Sequence, residues 1–231
     1  PVPDGDTGTN MSLTLTNAMN ALMSVPDEAD VSEVASTAAS AMLRGARGNS
    51  GVITSLLFRG FSKGLAGKKE ADCDDIANAL EIGVEAAYKS VMKPAEGTIL
   101  TVARVSSEKA RESSFQTNDP VSLWNDVCLA AEDALAKTPE QLPILKKAGV
   151  VDAGGKGLVI IFTEMLKAFR GEPRTVSAEP KVISDGKYSF TVEDDESVEI
   201  TFGYCTEFIV NVTDTSKSPA DLRKYLESIG D

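Results

Sequence analysis

Near its start the sequence reads Pro3-Asp4-Gly5-Asp6-Thr7-Gly8-Thr9-Asn10-Met11, a stretch that places one carboxylate on each side of a single glycine. Aspartate and glycine favour turns and are poor in strand interiors, so the stretch predicts a turn that leads into the helical pattern after it. Two carboxylates aimed the same way repel each other unless a cation or hydrogen-bond donors lie between them. Hard oxygen ligands in a short loop suit Mg²⁺. A solvated acidic turn that caps a helix is the simpler interpretation. Motifs further along the chain distinguish it from a metal site.

The composition is that of an ordinary globular protein, with 231 residues of which 42% are hydrophobic and 25% charged. This length suits one large domain, or one domain with a fragment of another. The formal net charge of −12 argues against a nucleic-acid binder and against docking to an anionic membrane surface. No apolar run reaches the roughly 20 residues of a membrane span, and no signal-peptide pattern is present. Three cysteines far apart in the sequence fit a reducing compartment. We therefore expect a cytoplasmic protein without stable membrane insertion.

The chain contains no histidine. This excludes the Ser-His-Asp and Cys-His triads, the HExxH zinc sites and every histidine general base. An enzyme built from this sequence has to use carboxylates, hydroxyls, amides, lysine, arginine and bound metal.

A second distinctive stretch reads Gly45-Ala46-Arg47-Gly48-Asn49-Ser50-Gly51. We expect its glycines to break the preceding helix, and Asn49 or Ser50 to cap a new one. A helix start presents free backbone N–H groups and the positive end of the helix dipole, which together favour phosphate. The stretch lacks the Gly-Lys-Ser/Thr ending of a P-loop, and no strand precedes it. A glycine C-cap followed by an N-cap is the commoner explanation of such a stretch taken alone.

Two further helix starts carry polar or glycine residues. Glu96, Thr98 and Thr101 lie around one of them, and the stretch Gly149-Val150-Val151-Asp152-Ala153-Gly154-Gly155-Lys156-Gly157 contains the other. Lys156 suggests a phosphate-binding lysine, but the Ser/Thr of a P-loop is missing, so we rank it below the backbone amides. If alternate helix ends gather, the four starts converge at one rim of a helical barrel or bundle.

Apolar periodicity predicts the helices between these motifs. Asp30 with Glu33 forms a capping-box-like start, Asn118-Asp119-Pro120 is a strong helix start, and Trp124 belongs to the core by its spacing. The predicted helices cover 11–23, the segment from Asp30, the segment after Ser50, 72–91, the segment from Thr98, the segment from Pro120, 140–148 with an interruption near Pro143, and a final segment that ends near Arg170.

The helical periodicity of the sequence ends at Gly171. Residues 172–198 are interpreted as a linker, because Pro173 and Pro180 interrupt them and no helical period follows. Residues 189–192 and 198–212 are β-rich, and residues 199–231 are interpreted as the beginning of an α+β domain with a helix over 219–229 capped by Ser218. The acidic run 193–196 is interpreted as a solvated turn, and Cys205 as a buried small hydrophobic residue.

Taken together and in this order, the four motifs resemble the nucleotide-binding domain of the dihydroxyacetone kinase superfamily. Three details are more similar to the catalytic subunits of bacterial fatty acid kinases: the Pro1-Val2-Pro3 lead-in, the form Arg47-Gly48-Asn49-Ser50-Gly51 and the later stretch 202–207. The resemblance implies a mainly α fold over residues 1–171, an antiparallel up-and-down helical barrel that holds ATP or ADP with Mg²⁺ at one end. It also implies that a first helix and a further metal-binding aspartate fall before Pro1.

The resemblance also implies roles for individual residues. Asp4 and Asp6 match the metal-binding and catalytic acids, and it allows Cys205 as a ligand of a structural metal. The positions that match nucleotide-binding residues are Thr7, Gly8, Thr9, Asn10, Asn49, Ser50, Gly51, Gly97, Thr98, Thr101, Asp152, Ala153 and Gly154.

The function implied is transfer of the ATP γ-phosphate to the carboxylate of a fatty acid presented by a separate fatty-acid-binding carrier protein, which gives an acyl phosphate. A carboxylate is already ionised at neutral pH, so this reaction needs no histidine base. Two alternatives stay open: a dihydroxyacetone-kinase-like subunit that phosphorylates a triose on a partner, and a non-catalytic nucleotide-binding regulator. A homodimer, if one forms, would use regions outside this chain.

Overall fold

The computed structural model describes residues 5–172 and 218–229, which belong to two separate compact units. Every regular element in these residues is an α-helix, so the prediction of a mainly α fold is confirmed for this part of the chain. The helices are α1 (Thr7–Leu22), α2 (Val31–Arg44), α3 (Gly48–Gly64), α4 (Cys73–Ser90), α5 (Ile99–Ser114), α6 (Pro120–Gln141), α7 (Pro143–Ala148), α8 (Ala153–Phe169) and α9 (Pro219–Glu227).

Side-chain caps start several of these helices where the sequence places them. Asp72 begins α4 in a capping box, in which its Oδ1 accepts a 2.9 Å bond from the Asp75 N–H. Asp119 begins α6, and its carboxylate accepts bonds from the N–H groups of Val121 at 3.2 Å and Ser122 at 3.0 Å. These caps satisfy helix N–H groups that would otherwise lack partners.

Other helix ends differ from the sequence prediction. Asp30 is the N-cap of α2, as expected, but its side chain makes no capping bond, so the capping box with Glu33 is not formed. The interruption predicted near Pro143 is present, but residues 140 and 141 belong to the end of α6, which continues through Pro139 to Gln141, and the short helix α7 begins at Pro143. Proline suits the first turn of α7, where its missing N–H would have had no partner.

Helices adjacent in the sequence pack against each other from α1 through α6, and α8 packs against α1, α5 and α6. Trp124 is 1% exposed and its Nε1–H donates to the Phe162 carbonyl at 2.9 Å, which confirms its predicted place in the core. The ring of Phe162 lies edge-on to it, with centroids 5.5 Å apart. None of the described helices is long and apolar enough to cross a membrane.

The second unit is described only over residues 218–229. Ser218 caps α9, since its side chain accepts a 3.2 Å bond from the Ala220 N–H. This confirms the predicted cap, and the helix ends at Glu227, two residues before the predicted end. The predicted linker beyond residue 172, the two β-rich segments, the acidic run and Cys205 lie outside the described residues.

Candidate functional site: four helix starts

Asp6 lies at the start of α1, as its N-cap residue, and is exposed. The Asn10 side-chain amide donates to Asp6 Oδ2 at 2.7 Å, which fixes one oxygen of the carboxylate. Gly5 precedes Asp6 with φ of 68°, a left-handed conformation that glycine adopts without strain. The other predicted acid, Asp4, lies outside the described residues.

Residues Thr7 to Asn10 form the first turn of α1. They were predicted as a loop before a helix that begins at Met11, so this boundary was wrong by four residues. The Asn10 N–H is already bonded to the Asp6 carbonyl at 2.9 Å, whereas the amides of the three residues before it occupy helix positions that have no intrahelical acceptor. The turn therefore offers its backbone N–H groups at the positive end of the helix dipole.

The second glycine-rich stretch forms the start of α3. The N-cap residue is Arg47, and Asn49 and Ser50 lie within the first turn, so neither caps the helix as predicted. Gly48 has φ of 57°, which lets the chain enter the helix before Asn49. The expected arrangement of a glycine-rich turn running into a helix start is nevertheless present.

The starts of α1 and α3 are joined directly. Ser50 Oγ donates to the Thr7 carbonyl at 3.4 Å, and the Arg47 N–H donates to Thr14 Oγ1 at 3.2 Å. Thr14 is fully buried and its hydroxyl donates in turn to the Asn10 carbonyl at 2.8 Å. The fold therefore brings the first and second motifs together.

The third motif is built around a buried glycine. Gly97 has φ of 79°, and its N–H donates to Thr101 Oγ1 at 2.9 Å. The Thr101 hydroxyl donates to Glu96 Oε2 at 2.8 Å, while that of Thr98 caps α5 and donates to the Ala95 carbonyl at 2.7 Å. Both predicted threonine hydroxyls are thus engaged within the protein, where they hold the shape of the turn.

Glu96 is the centre of a hydrogen-bond network beside this turn. Besides Thr101, it accepts bonds from the Tyr88 hydroxyl at 2.9 Å and from Arg104 Nη2 at 2.9 Å. Burial alone would raise the pKa of Glu96, but the bonds from Arg104, Thr101 and Tyr88 outweigh it and lower that pKa. The sequence placed Glu96 at this helix start without indicating the network, because two of its partners are eight residues away along the chain.

The fourth motif starts α8. Asp152 is the N-cap, 6% exposed, and its Oδ2 accepts a 2.7 Å bond from the Gly155 N–H. Burial raises the pKa of Asp152, and hydrogen bonds from the backbone N–H groups of Gly155 and Ile99 partly offset that rise. Gly154 is buried against Ile99, whereas Ala153 and Lys156 are exposed. The close approach of Gly154 to Ile99 therefore places the start of α8 against the start of α5.

The start of α8 also meets α1. A Cβ built on Gly157 would lie 2.5 Å from Met11 Sδ, so the Met11 side chain packs directly against the backbone of this glycine. The α1–α3 bonds, the α1–α8 approach and the contact of Gly154 with Ile99 together link all four predicted helix starts within residues 5–172. Convergence of the motifs is thus a feature of the described fold.

Thr138, near the end of α6, is a residue of this region that the sequence analysis missed. It is fully buried, and its hydroxyl accepts a 3.1 Å bond from the Asp152 N–H. The one signal in the sequence was a threonine placed directly before Pro139 inside an apolar helical period.

The residues present are compatible with Mg²⁺ at the start of α1. Asp6 is exposed, and Oδ2 is the carboxylate oxygen for which a donor is found, leaving Oδ1 for a cation. Mg²⁺ commonly takes one or two carboxylates together with phosphate oxygens and water, which suits Asp6 with Asp4. Within residues 5–172 and 218–229, no three Asp, Glu or Cys side chains are grouped so as to hold a metal by themselves. The metal role of Asp4 and Asp6 stays a prediction.

Comparison with known proteins identifies the family. Residues 1–167 match the DAK2 domain. The whole chain aligns with an uncharacterized protein of Staphylococcus saprophyticus at 42% identity over 240 residues, covering 42% of that protein. The whole chain also aligns with protein YloV of Bacillus subtilis at 42% identity and with an uncharacterized protein of Staphylococcus aureus at 40% identity. In each case the alignment covers 43% of the relative's length. The chain thus spans less than half the length of these relatives, and it belongs to the kinase-related DAK2 domain family.

Proposed function

We propose that this chain is the nucleotide-binding and catalytic part of an ATP-dependent kinase that phosphorylates the carboxylate of a fatty acid. The observation that carries the proposal is the junction of two helix starts, in which Ser50 Oγ bonds to the Thr7 carbonyl at 3.4 Å beside the exposed Asp6. Two helix N-termini side by side favour a bound polyphosphate. The match to a kinase-related family supports the same assignment.

We further propose that the helices of residues 1–171 close into an antiparallel up-and-down barrel with the site at one end. Packing of successive helices from α1 to α6, together with packing of α8 on α1, is the contact pattern expected of such a closed ring. Residues 172–198 would then link this domain to an α+β domain that begins at 199.

In this proposal the backbone amides at the starts of α1 and α3 bind the phosphates, and Asp4 and Asp6 hold Mg²⁺. Bound Mg²⁺ would neutralise the charge of the phosphates during transfer. The predicted nucleotide-binding positions of the first two motifs, Thr7, Gly8, Thr9, Asn10, Asn49, Ser50 and Gly51, all lie in the first turns of these two helices. Gly97, Thr98 and Thr101, with Asp152, Ala153 and Gly154, shape the rest of the site.

The chemistry requires positioning more than acid–base catalysis. One carboxylate oxygen of the fatty acid forms a bond to the γ-phosphorus while the bond from that phosphorus to the ADP oxygen breaks. The products are an acyl phosphate and ADP, and no proton has to be removed from the nucleophile. A chain without histidine can therefore supply everything that the step requires. We assign the reaction to the cytoplasm, where ATP is available.

We assign the fatty acid to a separate carrier protein. Within residues 5–172, the apolar cavity between α3, α4, α5, α6 and α8 has a volume of about 30 Å³. A cavity of this volume holds about two water molecules, so an acyl chain does not fit inside it. A lipid presented by a partner at the rim of the four helix starts resolves this difficulty.

The test uses the full-length protein incubated with ATP, Mg²⁺, a fatty acid and its carrier protein, with acyl phosphate trapped by hydroxylamine. We expect acyl phosphate from the wild type and at least about a hundredfold loss of rate in Asp6→Asn, the typical size of a lost transition-state electrostatic contact. Asp27→Asn is the matched control, because Asp27 is exposed in the connection between α1 and α2.

Other outcomes would replace the proposal. Phosphorylation of a triose instead of the fatty acid would make the protein a dihydroxyacetone-kinase-like subunit. Tight ATP binding without a phosphorylated product from any acceptor would make it a nucleotide-binding regulator. Equal activity in Asp6→Asn and Asp27→Asn would refute the role of Asp6.

A further inference from the structure

Thr138 makes three connections from one buried position. Its hydroxyl donates to the Leu135 carbonyl at 2.7 Å and accepts from the Asp152 N–H at 3.1 Å. Its own carbonyl accepts from the Leu142 N–H at 3.1 Å and so ends α6. Since Thr138 is 0% exposed, no water can replace either hydroxyl bond.

Pro139 explains why the first of these bonds is needed. It lies inside α6 and has no N–H, so the Leu135 carbonyl loses the donor that an ordinary residue at 139 would supply. The Thr138 hydroxyl donates its hydrogen to that carbonyl. Its oxygen lone pairs remain available to accept a hydrogen bond from another group. Thr138 thus satisfies the Leu135 carbonyl that Pro139 leaves without a donor, and its hydroxyl oxygen accepts the Asp152 N–H of the fourth motif.

The same turn of α6 supports the third motif. A Cβ built on Gly97 would lie 3.0 Å from the Thr138 carbonyl and 2.9 Å from Leu142 Cβ. Gly97 is therefore packed directly on the backbone that Thr138 holds, while Asp152 is bonded to its side chain. One residue thus touches both of the turns that we place at the nucleotide.

We propose that Thr138 is a positioning residue of the nucleotide site, which fixes the start of α8 relative to the Gly97 turn. This inference rests on the proposed function, because it assigns the two turns to nucleotide binding. Thr138 itself is buried and is placed to act through Asp152 and Gly97.

The experiment compares Thr138→Val, Thr138→Ser and the double variant Thr138→Val/Pro139→Ala with the wild-type chain. Valine removes both hydroxyl bonds at nearly constant volume, serine keeps them, and the change Pro139→Ala returns an N–H to the Leu135 carbonyl. Thr163→Val is the matched control, since the Thr163 hydroxyl bonds to a carbonyl of its own helix at 2.8 Å and to neither turn.

Binding of Mg-ADP is measured by calorimetry, stability by urea unfolding, and opening of the Asp152 amide by hydrogen exchange. We expect Thr138→Val to weaken Mg-ADP binding by about tenfold, the effect of one lost buried hydrogen bond, and to speed exchange of the Asp152 amide. Thr138→Ser should restore both quantities. The double variant should regain the stability lost at the Leu135 carbonyl but not nucleotide affinity, because the Asp152 N–H still lacks its acceptor.

Three results would overturn this role. Unchanged Mg-ADP affinity in Thr138→Val would show that the bond does not position the site, and recovery of affinity together with stability in the double variant would show a purely structural role. A wild-type chain that binds no nucleotide would refute the proposed function, and this role with it. Faster exchange at Asp152 would then still report the bond itself.

Discussion

Gly51→Ala tests the junction between α1 and α3, on which the proposed site depends. Gly51 is buried in the first turns of α3, and a Cβ built on it would overlap Thr14 Oγ1 and lie 3.4 Å from the Asn10 carbonyl. To admit the methyl group, α1 has to move or Thr14 has to rotate. Rotation would break the Thr14 bonds to the Arg47 N–H and the Asn10 carbonyl.

The expected cost follows from three terms. Overpacking of a tight contact costs about 1–3 kcal/mol, and the two broken, partly buried hydrogen bonds of Thr14 together add about 1 kcal/mol, the low end of the usual range. Replacing glycine by alanine inside a helix returns about 1 kcal/mol at most. We therefore expect Gly51→Ala to destabilise the chain by about 2 kcal/mol, or about 4–8 °C in Tm for a domain of this size.

The assay is urea or thermal unfolding followed by the fluorescence of Trp124, the single tryptophan of the chain, which is 1% exposed. Gly8→Ala is the matched control, because Gly8 also lies in a first turn and a Cβ there meets nothing within 4 Å. Gly8→Ala should leave Tm unchanged or raise it slightly. If Gly51→Ala were as stable as Gly8→Ala, the close packing of α1 on α3 would be refuted.

Three further predictions concern the other helix starts. Glu96→Ala should destabilise the chain by about 1–2 kcal/mol in urea unfolding, because it leaves the buried Thr101 hydroxyl without an acceptor, and Glu96→Gln should cost less. Asp152→Asn should flatten the pH dependence of Tm. The raised pKa of Asp152 means that the folded chain holds its proton more readily, so this group lowers stability as pH rises above its ordinary value of 3.8. Lys156→Gln should weaken Mg-ADP binding by at most about fivefold, the scale of one exposed charge interaction.

Each of these has a result that contradicts it. Equal loss of stability in Glu96→Ala and Glu96→Gln would show that the charge, and not the acceptor, matters at residue 96. If the Tm of Asp152→Asn varies with pH as steeply as that of the wild type, Asp152 is not the source of the pH dependence of stability. A loss far beyond fivefold in Lys156→Gln would assign direct phosphate contact to a side chain that we rank below the amides.

The sequence was sufficient to predict most helices and the convergence of their starts. Apolar periodicity located the cores of the helices, and Asp72, Asp119 and Ser218 marked starts because side-chain capping is a local interaction. The resemblance to a kinase family on four separate motifs supplied the candidate residues, and the DAK2 match confirmed the family.

Predictions were wrong where tertiary contacts decide the local structure. Glycine and threonine have low helix propensity, so the turn from Thr7 to Asn10 was expected to be a loop. Contacts with Ser50 and with the α3 start stabilise it as helix instead. The Glu96 network and the Thr138 contacts were missed for the same reason. Arg104 and Asp152, their bonding partners, are distant in sequence, and the Leu135 carbonyl is available to Thr138 only because Pro139 has no N–H.

The spacing of Gly45, Gly48 and Gly51 by three residues has a mechanical consequence. Each of these glycines receives a polar side chain of α1, and a Cβ at any of the three would collide with it. Movement of α1 away from residues 45–51 would therefore have to withdraw three polar side chains at once. If nucleotide enters and leaves at this rim, we expect the junction of α1 and α3 to stay closed as it does so.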